Sequence, residues 1–233
     1  MSSAEPLTPE GRLALEKVLV LLTEERASVS SVRRGPRAWD IHVLDSLSAL
    51  RIPELAAATR IADVGSGAGF PGLALAAALH QADVDLIESV ERKYAFIRRA
   101  AEESGIKTAR VICDRAETWA GGDGREAYPV VTARAVGRLA TLAELASPLL
   151  REDGVLIAWK GRRDPDEETE AARAEPATAM RPEAVLAVTP FPESRNRHLH
   201  VLRKCGSTPA NLPRRPGVAK RRPYGASRGG SSL

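Results

Sequence analysis

The sequence predicts an α/β protein with a doubly wound sheet of about seven strands, an antiparallel final strand and N-terminal helices before the sheet. Short apolar runs alternate with helical segments from residue 60 onward, which is typical of parallel strands joined by crossover helices. A glycine-rich turn follows the first apolar run. The last two runs are only 10 residues apart, too few for a helical crossover, so we expect them to pair antiparallel.

Two helices are predicted before the sheet. Thr8, Pro9 and Glu10 provide an N-cap, a first-turn proline and an acid that favours the helix dipole, and apolar residues follow at helical spacing up to Leu22. Apolar residues at similar spacing predict a second helix over 39–50. We interpret residues 1–55 as an N-terminal helical cap.

The remaining chain divides into a core domain over 56–205 and an arm over 206–233. The predicted strands are 60–64, 84–87, 109–112, 130–133, 155–159, 183–188 and 199–203. The predicted crossover helices are 72–79, 91–104 and 139–150, with Gly105 and Gly154 ending the last two, and an acidic helix opens at Asp164. The arm is rich in Pro, Gly, Ser and Arg, so we expect it to be extended or disordered.

Charge is concentrated in the arm. The chain carries a formal net charge of +4, but the arm holds six basic residues and no acid, which leaves 28 basic and 30 acidic residues elsewhere. A nearly neutral body with a basic tail predicts a polyanionic partner. The candidate phosphate-binding residues are Arg214, Arg215, Lys220, Arg221 and Arg222. A solvated tail without a partner is the alternative.

Several classes of protein are disfavoured. The sequence shows neither an apolar run long enough to span a membrane nor an N-terminal secretory signal, so we expect a soluble cytoplasmic protein. Its two cysteines and four histidines form no familiar ligand pattern, so we expect neither a disulfide nor a metal site. We also expect a monomer.

The glycine-rich turn, IADVGSGAGFPG over 61–72, predicts a cofactor site. Such a turn between a strand and a helix lets backbone N–H groups approach a nucleotide-like ligand closely. Residues Gly67 to Gly72 match the GxGxxG dinucleotide fingerprint, and Glu88 follows at about the expected distance. An oxidoreductase that uses NAD is therefore one alternative.

Two residues favour a cationic cofactor instead. Asp63 precedes the first glycine, Gly65, where its negative charge would repel a pyrophosphate and attract a cation. Pro71 lacks the N–H group that a phosphate would use. S-adenosylmethionine carries an ammonium and a sulfonium but no phosphate, so it fits this loop better than a dinucleotide does.

Other candidate residues follow the next strands at the carboxyl edge of the sheet, where such folds bind ligands. Glu88 ends the second strand, and its carboxylate can accept hydrogen bonds from both ribose hydroxyls of an adenosine. Backbone groups of Ala116 and Glu117, after the third strand, can meet the adenine. Arg134 and Lys160, at the ends of the fourth and fifth strands, are candidates for orienting the substrate. A turn, a helix cap or a plain salt bridge is the alternative role for these residues.

Seven segments together resemble one known family, the glucose-inhibited division protein B family, which is the small-subunit rRNA methyltransferase G. The segments are IHVLDSL, DVGSGAGFPG, LIES, CDRAE, VVTARAVG, WKG and LPRRPGVAKRRP, in this order and at matching spacing. The resemblance implies a Rossmann-like class I methyltransferase domain over 56–205 that uses S-adenosylmethionine. It also implies that the substrate is N7 of a guanine in 16S rRNA of the small ribosomal subunit.

Carried over by position, the resemblance implies cofactor contacts from Gly65, Phe70, Ala116, Glu117 and Arg134. Glu88 stands where some members of the family have Asp. A non-catalytic RNA-binding scaffold on the same fold is a further alternative. We expect truncation after Gly206 to weaken RNA binding and to leave cofactor affinity nearly unchanged.

The absence of an obvious catalytic base agrees with this chemistry. Guanine N7 has an exposed lone pair, so no proton has to be removed before it attacks a methyl group. We therefore expect catalysis to depend mainly on positioning the two reactants.

Overall fold

The computed structural model describes residues 7–25 and 37–226. The strands are β1 (Arg60–Val64), β2 (Asp83–Ile87), β3 (Ala109–Ile112), β4 (Tyr128–Arg134), β5 (Leu150–Lys160), β6 (Met180–Val188) and β7 (Arg197–Lys204). The α-helices are α1 (Pro9–Glu24), α2 (Asp45–Leu47), α3 (Pro53–Ala56), α4 (Gly72–Ala78), α5 (Glu91–Ser104), α6 (Ala116–Trp119), α7 (Leu139–Ala146), α8 (Pro165–Arg173), α9 (Glu175–Thr178) and α10 (Val218–Arg221). A π-helical turn, Trp39–Leu44, precedes α2, and a 3-10 turn, Ser48–Arg51, follows it.

Within these described residues, seven strands form one sheet in the order β3-β2-β1-β4-β5-β7-β6. β1 to β5 pair in parallel, whereas β7 lies antiparallel to both β5 and β6. The predicted doubly wound sheet with an antiparallel final strand is confirmed. The strand order reverses between β1 and β4, so the carboxyl ends of these two strands bound the crevice where such sheets bind ligands.

Both faces of the sheet are covered, which explains why the central strands are apolar without alternation. In β1, Ile61 belongs to one apolar cluster and Ala62 to the other, and both are fully buried. Leu15 and Leu22 of α1 join the first cluster, so the N-terminal helix packs on the same face as α4 and α5.

Local signals account for two of the predicted helix ends. Thr8 accepts a hydrogen bond from the Gly11 N–H, as its N-cap role requires, and Gly105 ends α5 in the left-handed conformation. The predicted end of the third crossover helix at Gly154 is wrong. That helix ends at Ala146 because Pro148 cannot donate the next backbone hydrogen bond, and Gly154 lies inside β5.

The arm departs most from the sequence prediction. Residues 206–226 are neither disordered nor simply extended; they fold back so that α10 packs against α7, while 227–233 lie outside the described residues. Leu212 and Ala219 are buried, and Arg214 pairs with the buried Glu144. A few apolar and paired side chains therefore attach a segment whose average composition predicts disorder.

Candidate active site

Glycine is required at the turn that follows β1. Gly65, Gly67 and Gly69 have φ angles of +67°, +62° and +90°, a backbone region that side chains disfavour. A Cβ atom at Gly65 would lie only 2.7 Å from Cγ2 of Val136, whereas at Gly67 the nearest atom would be 3.8 Å away. Gly65 is therefore constrained by both its backbone and its neighbour.

The turn uses its backbone N–H groups within the protein. Gly65 and Ser66 donate to the Ile87 carbonyl, and Gly69 donates to the Ser66 carbonyl. Gly67 donates to Glu88 Oε2 at 2.9 Å. These groups are therefore not gathered around an anion site, in contrast to the loop of a protein that binds a pyrophosphate.

Asp63 stabilises the turn from inside the protein. Its carboxylate accepts hydrogen bonds from the Gly72 N–H at 3.2 Å and from Thr132 Oγ1 at 2.9 Å, and the residue is 0% exposed. The prediction of a cofactor contact from Asp63 is therefore not met in the structure. The acid connects β1, β4 and the start of α4 through these two hydrogen bonds.

The burial of Asp63 predicts a pH-dependent stability. Burial raises the pKa of Asp63 from 3.8 to about 6, although its hydrogen bonds oppose the shift. The native state then holds a proton that the unfolded chain has lost, so native stability falls as pH rises from about 4 to 6, by up to about 3 kcal/mol. We expect the free energy of unfolding of the Asp63→Asn variant, measured in urea at pH 4 to 7, to lack this decrease. Parallel profiles for the two proteins would contradict the assignment.

A first cavity, of about 170 Å³, opens at the carboxyl ends of β1 to β4. It is lined by Val64, Gly65, Ile87, Ser89, Asp114, Arg115, Ala116, Glu117, Val136, Thr141, Leu145, Gly217, Ala219 and Lys220. The structure therefore brings together the predicted Gly65, Ala116 and Glu117. Glu88 lies beside this group, where its carboxylate accepts from the N–H groups of Gly67 and Val90.

A second cavity, of about 220 Å³, adjoins the first. It is lined by Asp45, Arg134, Ala135, Gly137, Leu142, Trp159, Lys160, Gly161, Val188, Arg197 and His198. Arg134 and Lys160, which sequence reasoning selected for the substrate, are thus brought together. Since Val136 lines the first cavity while Arg134, Ala135 and Gly137 line the second, the segment 134–137 forms the wall between them.

Asp45 holds the two arginines of the second cavity. Arg134 Nη1 lies 3.1 Å from Asp45 Oδ2, and Arg197 Nε lies 3.8 Å from Asp45 Oδ1. Burial lowers the pKa of Arg134, whereas the charge of Asp45 raises it. Trp159 Nε1 donates to the backbone carbonyl of Asp45 at 2.8 Å, so Asp45 is held through its backbone as well as its carboxylate. Sequence reasoning missed the roles of Asp45 and Arg197, although Asp45 lies within the IHVLDSL segment.

Phe70 and Lys160 are placed differently from what their predicted roles suggest. Phe70 is buried and stacks on His42 with ring centroids 4.9 Å apart, and the Arg134 guanidinium carbon lies 6.0 Å from its ring centroid. Phe70 is not among the residues lining the first cavity. Lys160 Nζ donates to Glu167 Oε1 at 2.6 Å and to the Gly137 carbonyl at 3.1 Å, so it already holds the wall segment.

Comparison with known proteins identifies the family. Residues 16–199 match the model of the GidB family, described as rRNA small subunit methyltransferase G. The chain belongs to this family. The ribosomal RNA small subunit methyltransferase G of Pelotomaculum thermopropionicum is 43% identical over 187 residues, which cover 78% of this chain and 77% of that protein. The protein of the same name from Rubrobacter xylanophilus is 39% identical over 212 residues, covering 89% and 81%.

The fold agrees with that of solved methyltransferases. A SAM-dependent methyltransferase from Aquifex aeolicus matches with a TM-score of 0.52 at 16% identity, over 72% of this chain and 93% of that chain. At this identity the likeness shows the fold alone, and it confirms the predicted Rossmann-like class I methyltransferase architecture. Membership of the small-subunit rRNA methyltransferase G family favours the methyltransferase over the oxidoreductase and scaffold alternatives.

The predicted RNA-binding residues of this methyltransferase divide into two groups. Arg214 is not free for phosphate, because its guanidinium pairs with the buried carboxylate of Glu144. The other four are exposed: Arg215, Lys220, Arg221 and Arg222. The RNA-binding prediction for Arg214 is therefore not met in the structure.

Residues 7–25 and 37–226 contain neither a metal-binding cluster nor a membrane-spanning helix. No group of three or more His, Cys, Asp or Glu side chains in these ranges is arranged to hold a metal ion. Over the same ranges, the helices are too short or too polar to cross a lipid bilayer.

Proposed function

We propose that this protein transfers the methyl group of S-adenosylmethionine to N7 of a guanine in 16S rRNA of the small ribosomal subunit. The observation that carries the proposal is the pair of cavities separated by the segment 134–137. One cavity is built on the glycine turn and the other is lined by cations, which suits a cofactor on one side and a nucleotide on the other. Family membership supports the same reaction.

The first cavity suits S-adenosylmethionine. The glycine turn directs its N–H groups into the protein, so the site lacks the backbone donors that a pyrophosphate would use. The charged lining is balanced, with the acids Asp114 and Glu117 against the bases Arg115 and Lys220. When bound, the cofactor supplies an activated methyl group. Gly65 and Ala116 would contact it, and the Glu88 carboxylate would accept hydrogen bonds from its ribose.

The second cavity would hold the guanine. Arg134 and Arg197 present donors suited to the guanine O6 or an adjacent phosphate, and Trp159 offers an aromatic surface. Asp45 keeps Arg134 in place before RNA arrives, so binding requires little further ordering of that side chain, and Arg197 lies within ion-pair distance of the same acid. Because N7 needs no deprotonation, these residues would act by orienting the base, and Lys160 by holding the wall segment.

The exposed basic residues of the arm would contact RNA phosphates. Four exposed basic residues lie within eight consecutive residues that contain no acid: Arg215, Lys220, Arg221 and Arg222. Such contacts position the RNA without reading its sequence and weaken as salt rises. We also propose that the enzyme acts as a monomer in the cytoplasm, the compartment of its ribosomal RNA substrate.

The test is methyl transfer to isolated ribosomal subunits. The protein is incubated with radiolabelled S-adenosylmethionine and with small or large subunits from cells that lack the modification. We expect label in the RNA of the small subunit alone. Calorimetry should show binding of S-adenosylmethionine but not of NAD. Label in both subunits, or binding of NAD in preference, would contradict the proposal.

A further inference from the structure

The segment 207–226, which we call the strap, reaches the first cavity. Gly217, Ala219 and Lys220 form part of its lining. The Gly217 N–H donates to Glu117 Oε1 at 2.7 Å, and Thr141 Oγ1 donates to the Ala219 carbonyl at 3.3 Å. Glu117 lies on the side of the cavity where the adenine is expected, so the strap covers the adenine side.

A buried ion pair fastens the strap. Arg214 Nε donates to Glu144 Oε1 at 2.5 Å, and Arg214 Nη2 forms a second short bond to Glu144 Oε2. Glu144 is 3% exposed, and two-point pairing of this kind is strong and geometrically specific. Arg214 Nη2 also donates to the Arg222 carbonyl at 2.8 Å, and its guanidinium carbon lies 4.0 Å from the centroid of the Tyr224 ring. Arg214 thus connects the middle and the C-terminal part of the strap to α7.

The start of the strap is fixed as well. Lys204 at the end of β7 is fully buried, and its Nζ donates to the Leu150 carbonyl at 2.6 Å and to Thr208 Oγ1 at 2.7 Å. Thr208 in turn donates to Glu126 Oε1 at 2.5 Å. At the far end Gly225 packs so closely on α8 that a Cβ would lie 2.1 Å from the Glu170 carbonyl oxygen.

We propose that the strap is a wall of the cofactor site, and that the Arg214–Glu144 pair determines cofactor affinity by holding Gly217 to Lys220 against the cavity. The inference depends on the proposed function, because that function assigns the first cavity to S-adenosylmethionine. It replaces the sequence-based expectation that the arm binds only RNA. Because the wall is in place before the ligand arrives, the strap loses little conformational entropy on binding, which favours higher affinity.

The experiment measures cofactor affinity without RNA. S-adenosylmethionine and its product, S-adenosylhomocysteine, are titrated calorimetrically into the full chain and into Arg214→Ala. We expect affinity for both to fall about tenfold, which corresponds to the loss of one charge-assisted interaction. Arg215→Ala is the matched control, because it removes the same charge one residue away without touching Glu144, and its affinity should stay within about twofold of wild type.

A second measurement needs no variant. Hydrogen exchange of the Gly217 amide is followed in the wild-type chain with and without S-adenosylhomocysteine, and we expect slower exchange when the ligand is bound. If wild type binds neither ligand, the proposed function fails. If wild type binds but its Gly217 exchange is unchanged, or if Arg214→Ala and Arg215→Ala bind equally well, the strap proposal is overturned.

Discussion

Replacement of Arg134 by alanine is expected to lower kcat for rRNA methylation by about a hundredfold, the usual effect of removing one preorganised polar group from an active site. The cofactor Kd should stay within about threefold of wild type. The reason is that the Arg134 guanidinium lines the second cavity, where Asp45 holds it at 3.1 Å, while only the neighbouring Val136 reaches the first cavity. Single-turnover rates and calorimetry separate the two quantities.

Two further variants distinguish orientation from charge. Arg134→Lys keeps the positive charge but loses the planar fork, so we expect it to recover only a small part of kcat. Arg197→Ala removes the weaker partner of Asp45, at 3.8 Å, and should raise KM more than it lowers kcat. Equal losses of cofactor affinity and turnover in Arg134→Ala would show that its effect is structural, and would contradict the role given to Arg134.

Replacement of Gly65 by valine is expected to weaken cofactor binding by about a hundredfold or more, which corresponds to roughly 3 kcal/mol. A β-branched residue is strained at a φ angle of +67°, and its Cβ would lie 2.7 Å from Val136 Cγ2. Val136 belongs to the wall between the two cavities and, being β-branched, has little rotamer freedom to move aside. Calorimetric titration with S-adenosylmethionine measures the loss.

A matched pair of alanine variants isolates the contact with Val136. Gly65→Ala and Gly67→Ala have similar backbone strain, at φ angles of +67° and +62°, but only the first meets a close neighbour. We expect Gly65→Ala to bind the cofactor more weakly than Gly67→Ala. The double variant Gly65→Ala with Val136→Ala should return to the level of Gly67→Ala. Equal affinities for the two single variants would show that crowding at Val136 is unimportant.

The structure also shows which features can be predicted from sequence. β1 and α5 match their predicted bounds because strand runs and helix caps are local signals. In β1 the four residues after Arg60 are buried without a break, and Gly105 ends Glu91–Ser104. The antiparallel final pair follows from the short connection between the last two apolar runs. The helix predicted over 39–50 is divided among π-helical, α-helical and 3-10 turns, a distinction that apolar spacing does not encode.

The features that were missed depend on contacts between distant parts of the chain. Asp63 lies beside the glycine turn in sequence, but Thr132 of β4 and Gly72 of α4 enclose its carboxylate, so it supports the loop from within. Asp45 meets Arg134 only because the N-terminal turns pack at the carboxyl edge of the sheet. The basic arm is attached by contacts with distant acids, among them the buried Glu144 and Glu117, to which nothing in the arm's composition points.

The central claim, that two cavities hold a methyl donor and a guanine without a proton-abstracting group, is tested most directly by locating the transferred methyl. Small subunits that lack the modification are methylated by the purified protein, and their 16S rRNA is digested to nucleosides and analysed by mass spectrometry beside a chemical cleavage that is specific for N7-methylguanosine. We expect one methyl group per 16S rRNA, on N7 of a single guanine. A methyl group on an exocyclic nitrogen or a ribose oxygen, or on any other base, would contradict the account.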